Sequence, residues 1–128
     1  MTVEALAALL REHPAASGAS LAVLHGSRAR GDGALDADWD IGVLADDDTD
    51  PAALVAALTG VLRTDAVDVV DLRRASALLR FRAARDGVAL LERPPGEFLR
   101  FRLDAVHYWC DVGPVIRAAH DDVLAALR

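Results

Sequence analysis

Apolar positions along the chain repeat with a helical period in some stretches and a strand period in others. Residues 3–12 carry Leu6, Leu9 and Leu10 at helical spacing, with Thr2 as a cap and Pro14 beyond the end, so a first helix is predicted there. Small residues at 14–20 read as a loop, and residues 21–25, Leu-Ala-Val-Leu-His, as a buried strand. Gly26-Ser27 ends that strand, and residues 27–30 have room for one helical turn before Gly31-Asp32-Gly33 breaks it. A second strand is predicted over residues 38–44, followed by a solvated turn at Asp46-Asp47-Asp48. Asp50-Pro51 opens a helix with proline at its first position, and Leu54, Leu58, Val61 and Leu62 form its apolar face. Residues 67–72 are a third strand, 75–86 a helix stopped by Gly87, and 88–91 a short fourth strand.

Pro94-Pro95-Gly96 marks a boundary. A helix is predicted over residues 97–112, Gly113-Pro114 should kink or break it, and a second helix should run to the C-terminus. This order describes an α/β (α+β) fold: a small mixed sheet of about four strands flanked by helices, with a C-terminal helical tail. The expected organisation is a core over residues 1–93 and a helical extension over 94–128. Phe98, Phe101, Ala105, Trp109 and Val112 form a stripe on that extension, suited to packing on the core and, through residues left outside, to docking a partner.

Composition narrows the function classes. Hydrophobic residues at 53% and charged residues at 27% are globular proportions. A net charge of -6 argues against general binding of double-stranded nucleic acid, which needs many phosphate-neutralising cations. The single cysteine, Cys110, rules out an internal disulfide and suits a reducing cytoplasm. Met-Thr-Val-Glu leads into an amphipathic pattern without a basic start or a long apolar run, so neither a signal peptide nor a membrane span is expected.

Two short motifs carry candidate chemistry. Asp38 and Asp40 flank Trp39, so in a strand both carboxylates project from one face, where they suit a hard cation such as Mg²⁺. Gly26-Ser27 lies just past the first strand, where backbone N–H groups and a hydroxyl can meet phosphate oxygens; Arg28 and Arg30 are placed to add positive charge. A third carboxylate is expected on a neighbouring strand, and Val67-Asp68-Val69-Val70-Asp71 offers two on opposite faces. Asp68 is favoured because it lies mid-strand, whereas Asp71 suits a turn or cap at the strand end. Three such carboxylates with a phosphate loop fit two-metal nucleotidyl transfer, with ions ~3.5–4 Å apart. Asp68 would then bind the hydroxyl-side ion and assist deprotonation of the acceptor.

Gly26-Ser27, a ten-residue gap, Asp38-x-Asp40 and a strand bearing Asp68 together resemble the DNA polymerase β-type nucleotidyltransferase superfamily. The run from Leu24 to Gly31 resembles its minimal branch, and residues 67–76 resemble the MntA-type antitoxins of HEPN–MNT toxin–antitoxin pairs. The resemblance spans roughly residues 20–92 and implies an enzyme using ATP, with two Mg²⁺ ions, to transfer AMP to a tyrosine of a partner HEPN ribonuclease. His25 stands where the family usually has Phe or Tyr, and Ala37 where a Ser is common; neither change removes a metal ligand.

Two rival functions are a binding antitoxin with a vestigial site and a small-molecule nucleotidyltransferase. The second would need an acceptor pocket that a chain of this length has little room to supply. Asp46-Asp47-Asp48 lacks the spacing of a calcium loop, and His107, Cys110 and His120 lack a fourth zinc ligand.

Overall fold

The computed structural model describes residues 1–33 and 36–127. Residues 34 and 35, inside the expected Gly-Ser to Asp gap, and Arg128, the end of the expected tail, lie outside that description. The elements are α1 (Val3–Glu12), β1 (Ala19–His25), α2 (Gly26–Arg30), β2 (Trp39–Ala45), α3 (Pro51–Leu62), β3 (Val67–Asp71), α4 (Ala77–Asp86), β4 (Val88–Glu92) and α5 (Glu97–Ala126). Side-chain oxygens open three of the helices: Thr2 accepts from the Ala5 amide, Asp50 from Ala52 and Ser76 from Leu79.

The sheet order is β3-β2-β1-β4. β1 pairs antiparallel with β2 and β4, and β2 pairs parallel with β3 across the α3 crossover. Strand alternation then divides the apolar side chains between two layers. Ala22 and Leu24 of β1 join Trp39, Ile41 and Val43 of β2 in a core with α1 and α3. Leu21 and Val23 face the other way, into a core with Leu72, Ala83, Ala84, Phe101 and Ala105. This second layer, built on α4 and α5, covers the sheet face that carries the candidate chemistry.

The expected break at Gly113-Pro114 does not occur: α5 runs through it as one helix of 30 residues. Proline removes the N–H that would bond to the Cys110 carbonyl, and its ring crowds that turn. Cys110 is exposed, so water can serve the carbonyl. Helical backbone before a proline is disfavoured chiefly by a clash with the preceding Cβ, which Gly113 lacks. Gly113 is also buried beneath the Trp109 indole: a Cβ there would stand 3.2 Å from the ring. The glycine makes room for a ring rather than ending a helix. Among the described residues no helix is long and apolar enough to cross a membrane.

The aromatic stripe packs on the chain itself, largely against α4. Trp109 stacks on Phe81 with ring centroids 5.5 Å apart, and Phe101 is 4% exposed. Phe101→Ala should therefore cost about 3–5 kcal/mol, as expected for a deleted core aromatic. Leu124→Ala, in the exposed last turns of α5, should be nearly neutral. Urea unfolding midpoints of the two variants would check the contrast.

Candidate active site

Strand register builds the site. His25, the last residue of β1, pairs with Asp40 of β2, and Asp40 pairs with Asp68 of β3. Counting along each strand from the residues in the α1–α3 core puts all three on the opposite face, beside α4. An imidazole and two carboxylates thus form a row across three neighbouring strands. Val67 and Val69 pack behind Asp68 on the other face.

The row opens into a cleft of about 400 Å³. Its sheet wall is His25, Gly26, Asp40 and Asp68, with Arg30 from α2 at the side. Its other wall is α4, which presents Leu78, Arg82 and Asp86 at successive turns. Gly26 has φ +72°, a left-handed value that suits glycine, and a Cβ there would run into the Asp40 carboxylate. The Gly-Ser turn and the strand carboxylate therefore meet as closely as backbone and side chain can. No side chain caps the first turn of α2, so its leading amides have no such partner.

Burial and crowding of like charge shape the electrostatics. Asp40 is pushed above the ordinary carboxylate value first by burial, opposed by His25 and Arg30 and reinforced by Asp68 and Asp38. His25 is pushed down by burial, against the pull of Asp40 and Asp68, so the imidazole is neutral at pH 7. Its Nε2 is buried without a hydrogen-bond partner among the described residues.

The other expected site residues divide. Asp38 is exposed one residue ahead of β2, close enough for its charge to act on Asp40. Arg30 borders the carboxylate cleft while its Nε donates to Asp32 at 3.0 Å. Ser27 and Arg28 instead border a neighbouring groove with Gly31, Gly33 and Trp39. Arg28 was expected to face phosphate; its guanidinium lies 4.1 Å from the Trp39 ring centroid and its Nε donates to the Ala37 carbonyl at 2.8 Å. Stacking on a buried indole, plus a backbone bond, holds it on the far side of β2 from Asp40. Asp71 also faces away from the row: its carboxylate accepts from the Arg73 amide at 2.9 Å, which makes it a turn residue. It lines a separate cleft of about 290 Å³ with Asp46, Asp47, Arg73 and Arg74, where no aligned carboxylate pair meets a glycine turn.

Sequence reasoning assigned no role in the site to His25, Leu78, Arg82 or Asp86. For His25 a signal existed, since it has the same strand parity as Leu21 and Val23 and directly precedes Gly26. For the α4 residues there was none, because helical spacing groups them without saying what they face.

The donor chemistry suits a hard divalent cation: Asp40 and Asp68 are aligned carboxylates, and the burial and like charge that raise Asp40 are what such an ion would offset. Among the described residues no three His, Cys, Asp or Glu groups are gathered at ligand spacing. The fold thus pre-forms a carboxylate pair rather than a closed cage.

Over 93 residues the chain is 36% identical to the protein adenylyltransferase MntA of Aphanizomenon flos-aquae, a match taking in 62% of this chain and 61% of that protein. The chain thus spans about three fifths of the curated relative it matches. A chain from a crystal structure of a toxin-antitoxin with AMP-PNP aligns over 97% of this chain and 99% of its own, at 28% identity and a TM-score of 0.77. A chain from the complex of tri-AMPylated Shewanella oneidensis HEPN toxin with MNT antitoxin aligns over 96% and 99%, at 28% identity and a TM-score of 0.70. The polymerase beta nucleotidyltransferase family matches residues 4–95, from the first helix through the whole sheet, and the chain belongs to that family.

Proposed function

We propose that this chain is an antitoxin that transfers AMP from ATP to a tyrosine of a HEPN-type toxin partner. The observation that carries the reading is the in-register pair of Asp40 and Asp68, opening beside Gly26 in one cleft. Likeness to MntA and to chains of toxin–antitoxin complexes supports the choice of donor and partner.

Each part then has a role. Asp38, Asp40 and Asp68 would hold Mg²⁺, two ions by the chemistry of this reaction, which supplies charge neutralisation at the reacting phosphate. The Gly26 and Ser27 amides and Arg30 bind phosphate oxygens, and Arg28 braces the loop they stand on. The acceptor oxygen forms a new bond to the α-phosphorus as the bridging P–O bond to the β-phosphate breaks. That electron pair leaves with pyrophosphate, and the acceptor proton passes to Asp68. Residues 1–93 serve as the catalytic core, and the extension over 94–128 packs on it and docks the partner. Exposed Leu99, Leu103 and Val106 lie along one side of α5, and Val115, Val123 and Leu124 lie in its last turns.

Adenine-labelled ATP and the HEPN partner should yield a labelled tyrosine on the partner. Intact ATP binding without transfer would overturn the enzymatic reading. An Asp38→Asn variant that still neutralises the toxin fully would establish physical blocking instead.

Asp68→Asn should lower transfer by about 10²-fold or more, since it removes a ligand and proton acceptor at once. Asp71→Asn should leave transfer within a few-fold and only loosen a surface turn. Initial rates at saturating ATP would separate the two carboxylates.

A further inference from the structure

We infer that Arg82 of α4 is the cation that grips the outer phosphates of the nucleotide, the part released as pyrophosphate. This rests on the cleft being the nucleotide site. Such a site needs local positive charge, because Asp40, Asp68 and Asp86 all border it. Of the nearby arginines, one is held outside the cleft and the other serves its Gly26 side. Arg28 is stacked on Trp39 and bonded to Ala37 on the other side of β2. Arg30 is tied to Asp32 at 3.0 Å.

Arg82 lines the cleft directly, and no hydrogen bond or ion pair engages it among the described residues. Asp86, one turn on in α4, is not its partner: it accepts from Arg85 through both oxygens, at 3.0 and 2.8 Å. Arg30 reaches the cleft from α2, on the Gly26 side, and Arg82 from the α4 wall opposite. That placement suits a triphosphate whose α-phosphate lies at the carboxylate row and whose tail extends along α4. A guanidinium fork suits two phosphate oxygens at once. One turn earlier, Leu78 keeps 38% exposure beside Leu79, an apolar edge to the same wall.

Titration calorimetry with Mg²⁺ would compare ATP, pyrophosphate and AMP binding to the wild type, Arg82→Gln and Arg82→Lys. Arg82→Gln should weaken ATP and pyrophosphate by about 10- to 100-fold, the range for losing charged hydrogen bonds, and leave AMP nearly unchanged. Arg82→Lys should fall between, keeping charge without the fork. Unchanged ATP affinity in Arg82→Gln overturns the inference, and so does an equal loss for AMP, which would mark a general effect on the cleft. A wild type that binds none of the three would overturn the nucleotide reading of the cleft itself, and this inference with it.

Discussion

Asp40→Asn should abolish AMP transfer and leave the metal-free protein at least as stable as the wild type. Asp40 sits at the middle of the row, in register with both His25 and Asp68, and against the Gly26 backbone. The amide keeps the shape but loses the charge that would hold a cation in the proposed reaction, so transfer should fall by about 10³-fold or more. Stability should move the other way because burial and neighbouring carboxylates raise the Asp40 carboxyl above its ordinary value. A carboxyl raised in the folded state stabilises most when protonated. Its contribution is present below the unfolded value and lost as pH rises through the folded one. The wild type should therefore lose stability relative to Asp40→Asn from acid to neutral pH. Thermal melts of both proteins in EDTA across that range would show the gap, and a gap that widens toward acid would contradict the account.

Gly26→Ala should cost both stability and activity, whereas Gly31→Ala should cost stability alone. The two glycines bracket α2 with nearly the same left-handed φ, +72° and +76°. Each alanine should lose about 1–2 kcal/mol from that conformation. At Gly31 the added methyl meets nothing within 4 Å. At Gly26 it meets the Asp40 carboxylate, so the carboxylate or the loop must move. Displacement on that scale in a catalytic constellation lowers rates by about 10²-fold. Parallel melts and transfer assays of the two variants isolate the contact from the backbone strain. Equal activity in both would show that the approach of Gly26 to Asp40 does not matter to the reaction.

Much of the geometry of this cleft is legible in the sequence. Strand parity put Asp68 and Asp71 on opposite faces, and the structure places Asp68 in the row with Asp40 and Asp71 in a turn. The same rule predicts Trp39 opposite Asp40, and Trp39 is core. Period, capping residues and prolines located the strands and α-helices before the tail to within a few residues, but the stretch read as a loop from residue 14 opens with a 3₁₀ turn at Pro14–Ala16, where the His13 side chain accepts from the Ala15 amide. In the tail the rule that proline ends helices failed, because Gly113 answers to the Trp109 ring and not to a turn.

The sequence by itself determined what is local: which residues alternate and where elements start. Those properties depend on backbone geometry within a few residues, which spacing encodes directly. Only the tertiary structure decided which arginine faces the cleft. Arg28 and Arg30 are two residues apart, yet one is drawn onto Trp39 and the other borders the carboxylates. Arg82 comes to the same cleft from α4, more than fifty residues beyond Arg30 in sequence. Side-chain direction on a short helix, and the packing of α4 against β1, are set by contacts between distant segments, and no local period records them.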